Sequence, residues 1–504
     1  MMKAIKNYIW IVALTISVST LIACSNEDES YMAKNDAKKT HVVTLVTTLS
    51  PMNCTTMRTT TTESSGTLEL GWEVGDFIWV NYTNTSNLDV EAQATVTAVD
   101  GSGNATINVE LVNPKMGNSE IMFGFPYNHW HNGLDPHANQ VGTLTDIIAN
   151  HAVSSGSGTL YVSGGTATLP AGITMTPEIC IWKLSFSDGT SNITSSITKL
   201  CICFGEYDEY VITPSSQDNI YVALNGDTNP KNISITATTS SGTYRRSKNS
   251  ITLNAGKIYN TTNLTLVNCV PLANASVSNR GQVIAADGFI YLTVSDATAA
   301  GTTASGLLTY IGTPGNIDES SSSYKGLALA LSDANNGSPC MYYTTPYNTE
   351  PCVSRANESA TAITYKNGIV STSTLISDGH THAAATAASN YGTARPSGVS
   401  QWFLPSLGQW NLIAQGLASI KYNNTTIETN INSGEGFIGH YTSTFLNSVL
   451  TNVGGTALQT GQGAQYWSCT ECPMGSAWTM YFYQGTSYSS VNTEPHYVRP
   501  VFAF

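Results

Sequence analysis

The chain is 504 residues long, carries a formal net charge of -13 and spends only 11% of its residues on Asp, Glu, Lys and Arg. Such a length accommodates roughly three domains of ordinary size, each able to bury its own core. The acidic balance, with no block of Lys or Arg, excludes a nucleic-acid reader or a protein held by charge on an anionic membrane, since both need clustered cations. Thr, Ser, Asn, Gly and Tyr stand where charge usually stands, which suits an all-β protein from outside the cytoplasm: β-branched and aromatic residues fit a pleated surface, and Gly, Asn and Ser fit tight turns.

The first segment, "MMKAIKNYIWIVALTISVSTLIAC", joins a basic start (Lys3, Lys6) to an apolar run from Tyr8 to Ala23 and small residues before a cysteine. The run falls short of the about 20 apolar residues that a spanning helix needs, so residues 1–23 read as a signal peptide. "LIAC" resembles the lipobox of bacterial lipoproteins, which implies cleavage before Cys24 and acylation of its thiol; the other reading is an ordinary secretory signal cut elsewhere. "SNEDES" follows at once and resembles the export signal that sends Bacteroidetes lipoproteins to the outer face of the outer membrane. No second apolar run approaches spanning length, so the lipid is the expected anchor, and the polar residues 25–40 read as a tether.

Next, "HVVTLVTTLS" places Val43, Leu45, Thr47 and Leu49 on one face of an extended strand. The stretch "MNCTTMRTTTTESSG" follows and holds Arg58, the only arginine among the first 244 residues. A lone arginine in a polar linker is within reach of a trypsin-like protease. Cutting there would release the preceding strand and leave an apolar groove with unpaired backbone, which a strand from another chain could fill. The plainer reading is a linker residue that is never cut.

Over roughly residues 40 to 268 the chain resembles the fimbrillin family of Bacteroidetes, the subunits and accessory proteins of type V pili. The likeness rests on Arg58 in its Thr-rich segment, then "GWEVGDFIWV", "FGFPYN", "GTLTDIIANHAV" and "ITLNAGKIYNTTNLTL" in that order. It implies two transthyretin-like β-sandwiches, proteolytic removal of the N-terminal strand, and assembly with other pilus subunits by donor-strand insertion. The residues agree: short alternating runs such as "ATVTAV", "ATINVEL", "KLSFS", "KLCICF" and "NISITAT" recur between turn residues. Trp72, Phe77 and Trp79 are expected in the core. Cys201 and Cys203, two apart on one strand face, are expected to pack as small apolar residues.

The texture changes near residue 271. "GLLTYIGTPG", "WFLPSLGQWNLI", "YWSCTE" and "HYVRPVFAF" resemble the DUF1566 and Fibrobacter-type paralogous families, whose fold is similar to the C-type lectin. Pro405 and Ser406 should start a helix, with Ser406 as its cap and Trp410, Leu412 and Ile413 on the buried side. Trp402, Trp410, Trp467 and Trp478 are expected in the core, with Trp478, Met480 and Phe482 alternating against Thr479, Tyr481 and Tyr483. The expected fold is mainly β: two transthyretin-like β-sandwiches, then an α+β C-type-lectin-like domain. The expected divisions are 24–58 for the tether and removable strand, 59–160 and 161–270 for the sandwiches, and 271–504 for the last domain.

Candidate binding residues are Tyr488, Asn492, Glu494 and His496, on a loop between two strands where planar polar groups and an aromatic face could hold a sugar. "TEP" occurs twice, but the Trp-Asn-Asp-type partner strand of calcium lectins is missing, so no such calcium site is expected. Nine cysteines besides Cys24 make an odd number, and Cys340 with Cys352 is the first disulfide expectation. "CTEC", Cys469 and Cys472, lacks a second half-site, and "DGHTH" lacks a third ligand for His380 and His382, so neither metal nor other cofactor is expected. No catalytic motif is present, and the case for an enzyme rests only on the similarity of the lectin-like fold to sulfatase-modifying oxidases. Two functions follow: a pilus-tip adhesin, whose last strand is used within its own domain and cannot be donated, or a resident outer-membrane surface lipoprotein that captures glycan or peptide. The expected partners are pilus subunits, the outer membrane through the lipid, and a host or bacterial surface glycan or protein.

Overall fold

The computed structural model describes residues 41–57, 68–70, 72–132, 139–169, 172–206, 208–343, 355–421, 443–473, 475–483 and 485–504. The fold is mainly β.

An eight-stranded sheet forms the first layer. Its order is Val42–Leu49, Ala105–Val112, Asp89–Val99, Phe77–Thr83, Gly117–Phe125, Ser154–Ser163, Thr176–Pro177, with Thr166–Thr168 added onto Ser154–Ser163. It curls until the first strand meets the chain just before the last: Ser50 N donates to Ile173 O and Ile173 N to Thr48 O, both at 2.8 Å. Leu45, Ile78, Val80, Ile107, Ile121, Phe123 and Leu160 fill the interior. The pleat explains one correction. Ile78, Val80 and Tyr82 point inward, so Phe77 and Trp79 fall on the outer face. There Trp79 is covered by Trp130 stacked at 5.4 Å, whereas Phe77 is exposed.

The middle layer runs Ile220–Asn225, Ile179–Ser187, Lys257–Thr265, Met52–Met57, Leu68–Leu70. Ile179 and Ile181 join the first core, while Cys180, Trp182, Leu184 and Phe186 join the next. A strand covered on both faces reads as an almost continuous apolar run, and "ICIWKLSF" does. The division expected at 160/161 therefore falls inside Ser154–Ser163, a strand of the first sheet, and the second layer starts at Ile179.

The third sheet has ten strands in the order Asp208–Ile212, Ile197–Phe204, Asp227–Thr239, Gly242–Leu253, Val267–Pro271, Phe289–Tyr291, Val283–Ala285, Ala304–Ile311, Gly326–Ala330, Val501–Ala503. It crosses the expected division at 270/271 without a break. At the crossing Arg245 Nε lies 2.8 Å from Asp287, which also accepts from the Tyr291 hydroxyl, and the guanidinium sits 4.6 Å from the Phe289 ring centre. Cys201 and Cys203 lie half-buried on the side of their strand opposite Ile202, outside the core.

In the last region the helix Leu407–Lys421 forms where expected. Ser406 and Gln409 make a capping box, Gln409 N donating to Ser406 Oγ and Ser406 N to Gln409 Oε1. Gly416 lets this helix touch the third sheet, since a Cβ there would sit 1.8 Å from the Thr309 carbonyl oxygen. A three-stranded sheet, Tyr466–Cys472, Ser476–Tyr481 and Thr486–Val491, completes the region. Trp402, Trp410, Trp467 and Trp478 are all buried. Thr479 and Tyr481 are buried as well, so that strand is covered on both faces and only Tyr483 of the expected outer set is exposed. Among the described residues no helix is long and apolar enough to cross a membrane.

Candidate functional site

The first candidate is the junction at Ser50 and Pro51. Val42–Leu49 lies along Ala105–Val112 in eight antiparallel pairs, from Val42 opposite Val112 to Leu49 opposite Ala105. Val43, Leu45, Thr47 and Leu49 are buried, as their alternation predicts, while Val42 and Val46 face solvent. The chain then changes sheets: Ser50 O accepts from Trp72 Nε1 at 2.9 Å and Ser50 Oγ from Met175 N at 3.0 Å. Met52–Met57 runs parallel to Lys257–Thr265 and antiparallel to Leu68–Leu70. One short segment thus contributes a strand to each of the first two layers. Arg58 follows directly; it and Cys24 lie outside the described residues.

The second candidate is the hairpin that carries the four expected binding residues, which do not converge on one surface. Tyr488 and Glu494 are exposed, whereas Asn492 and His496 are buried. Asn492 serves through its backbone, accepting from Tyr343 N at 3.1 Å and donating to Gly475 O at 3.0 Å. Ser490 Oγ donates to Glu494 at 2.6 Å and lies 2.7 Å from His496 Nε2. With its one proton used in the hydrogen bond to Glu494, the Ser490 hydroxyl accepts from the imidazole, the reverse of what a nucleophile and its base require. Burial pushes the His496 imidazole below its ordinary range, and Glu494 offsets this only in part. Tyr488 instead belongs to an aromatic row with Tyr481, 5.9 Å away, and Tyr483, 5.8 Å from Tyr481.

Cys340 is a free thiol, pushed up to about 11 by burial, and Cys352 lies outside the described residues. His382 is buried, with Nε2 2.7 Å from Asp378 and its ring 4.7 Å from Tyr343, while His380 is exposed. Cys469 is buried and Cys472 half-buried on the strand Tyr466–Cys472. The anchoring role of Ser50 was open to sequence reasoning through the turn signal "LSPM". The roles of Ser490 and Gly475 carried no such signal.

No family model matches the chain, and no curated protein does. Among solved structures it is similar to a fimbrial protein from Bacteroides ovatus, at 12% identity and a TM-score of 0.30, over 86% of this chain and 95% of that one. A C-terminally truncated tip fimbrial protein from Porphyromonas gingivalis aligns at 11% identity and a TM-score of 0.24, over 44% of this chain and 100% of that one. A putative cell adhesion protein from Bacteroides fragilis aligns at 12% identity and a TM-score of 0.26, over 43% of this chain and 90% of that one. Likeness at this level leaves function to be read from the chain's own residues.

Proposed function

We propose that this chain is a cell-surface lipoprotein, anchored through Cys24, that becomes the tip adhesin of a type V pilus once it is cut at Arg58. The observation that carries the reading is the first strand. It is an edge strand, bonded along one side, with Val43, Leu45 and Leu49 each contributing about 1.5–3 kcal/mol by burial. Its removal exposes the backbone of Ala105–Val112 and the apolar positions it covered, a groove whose natural filler is another strand of the same alternation. A place at the tip fits a strand Val501–Ala503 that is not free to be donated. Val501–Ala503 pairs with Gly326–Ala330 on one side and exchanges bonds with Phe403 on the other, so it is not available to a neighbour. The C-terminal region carries the ligand function, toward a glycan or protein on a host or bacterial surface.

The test is strand exchange. Full-length protein cut with limiting trypsin should take up a labelled peptide of residues 42–57, one per chain by native mass spectrometry, while Arg58→Gln should take up none. A cut, folded protein that refuses the peptide contradicts the proposal.

A further inference from the structure

The C-terminal region holds an open cleft of about 870 Å³, inside the range of about 300–1,000 Å³ common for small-molecule sites. Three segments distant in sequence wall it: the loop from Ser332 to Cys340, the helix Ala383–Ser389 with the turn to Thr393, and the stretch from Thr456 to Gln459. The first and third of these are held from below by one buried cation. Arg499 Nε lies 2.7 Å from Asp333, and its terminal nitrogens donate to the carbonyls of Ala330 at 3.1 Å, Thr456 at 3.0 Å and Ala457 at 3.3 Å. Tyr466 adds a hydroxyl donated to Asp333 at 3.1 Å. On the rim Asn335 and Asn336 hold left-handed backbone, with φ of 52° and 53°, a conformation that costs energy and gathers at functional sites.

The lining decides what the cleft can take. Among the described residues it contains no lysine or arginine, and its one carboxylate among them, Asp333, is already neutralised by Arg499. An anionic or cationic ligand would find no counter-charge. What remains is amide and hydroxyl chemistry beside an aromatic ring. The side-chain amides of Asn336, Asn390 and Gln459 make no hydrogen bond among the described residues. Each amide offers donors and an acceptor side by side, the pattern that vicinal hydroxyls satisfy. Tyr391 supplies the apolar face, held by its hydroxyl 2.7 Å from Ser332 Oγ and by Trp402 packed edge-on at 4.9 Å.

We infer that this cleft, and not the tyrosine-bearing hairpin, is a binding site for a neutral saccharide. The inference rests on the reading that the C-terminal region carries the ligand function, and it names both the site and the ligand class. Asn390 and Gln459 hold the sugar hydroxyls, and Tyr391 packs against the C–H face of a ring.

The test applies full-length protein in detergent to an array of neutral oligosaccharides and their sialylated counterparts, followed by titration with the neutral glycan bound best. Neutral glycans should bind. Asn390→Ala and Gln459→Ala should each weaken binding about tenfold with no change in melting temperature, because neither side chain makes a hydrogen bond among the described residues. Tyr488→Ala should bind as the parent does. Binding confined to sialylated glycans, no binding, or loss on Tyr488→Ala but not on Asn390→Ala overturns the inference. Strand exchange at the N-terminal segment separates the two claims: failed glycan binding with intact exchange removes the saccharide site alone, and failed exchange with intact binding removes the assembly reading alone.

Discussion

The strands Val42–Leu49 and Val501–Ala503 both bury apolar side chains in a sheet, the first at alternate positions and the second at every one, and they are held in opposite ways. The first is bonded along one edge, touches the far edge only near Ser50, and continues into the segment that holds Arg58. The second is bonded on both edges, by Gly326–Ala330 and by Phe403 and Ser400, and Phe502 is locked against Trp402 at 4.9 Å. An edge strand can leave while its sheet survives, because its own ladder alone opens; Met52–Met57, which leaves with it after a cut at Arg58, parts from Lys257–Thr265 and from Leu68–Leu70 through only three pairs each. Val501–Ala503, bonded on both sides and buried at every residue, cannot leave without unfolding its domain. The contrast underlies the acceptor behaviour proposed for the first layer and the fixed platform proposed for the last.

The largest effect should come from breaking the platform. Arg499→Ala leaves Asp333 buried without its cation, which costs about 3–5 kcal/mol. Denaturant unfolding should show that loss while strand exchange at the first layer persists. If exchange disappears too, the two regions are not independent. A smaller effect should follow from Leu45→Ala, about 2–3 kcal/mol because an edge strand can settle around the missing side chain. Hydrogen exchange should then quicken at Ala105–Val112 and remain slow at Gly326–Ala330. The smallest effect is on the hairpin. His496 is held below its ordinary range by burial, so the unfolded chain binds the proton more readily than the folded one. The stability it contributes is complete above about pH 6.5 and is lost as pH falls through the lower folded value. Hydrogen exchange at Thr486–Val491 should rise on acidification in that window, and His496→Phe should flatten the response.

Much of this was legible in sequence where one physical signal dominated. The period-2 alternation of Val43 to Leu49, the capping box at Ser406 and Gln409, and the four core tryptophans all stand as their local pattern implies. Phe77 misled because aromatic character says nothing about which face of the pleat is covered. The middle layer was hidden for a related reason: Ile179–Ser187 serves two cores at once, and a run covered on both faces looks like any other apolar strand. The binding loop was legible as a loop but not in its orientation, since the contacts that turn Asn492 and His496 inward come from Gly475, Tyr343 and Trp467. The saccharide cleft was not legible at all. Asp333, Asn390 and Gln459 meet only through the fold, and none sits in a motif.

The central claim is that the first strand is a removable part of the molecule. Its most direct test is the N-terminus of the protein recovered from the surface of its native cell, read by mass spectrometry. A chain that begins at Thr59 is the predicted result and makes Arg58 a maturation switch. A pool that retains acylated Cys24 throughout would contradict the account and leave the protein a resident surface lipoprotein.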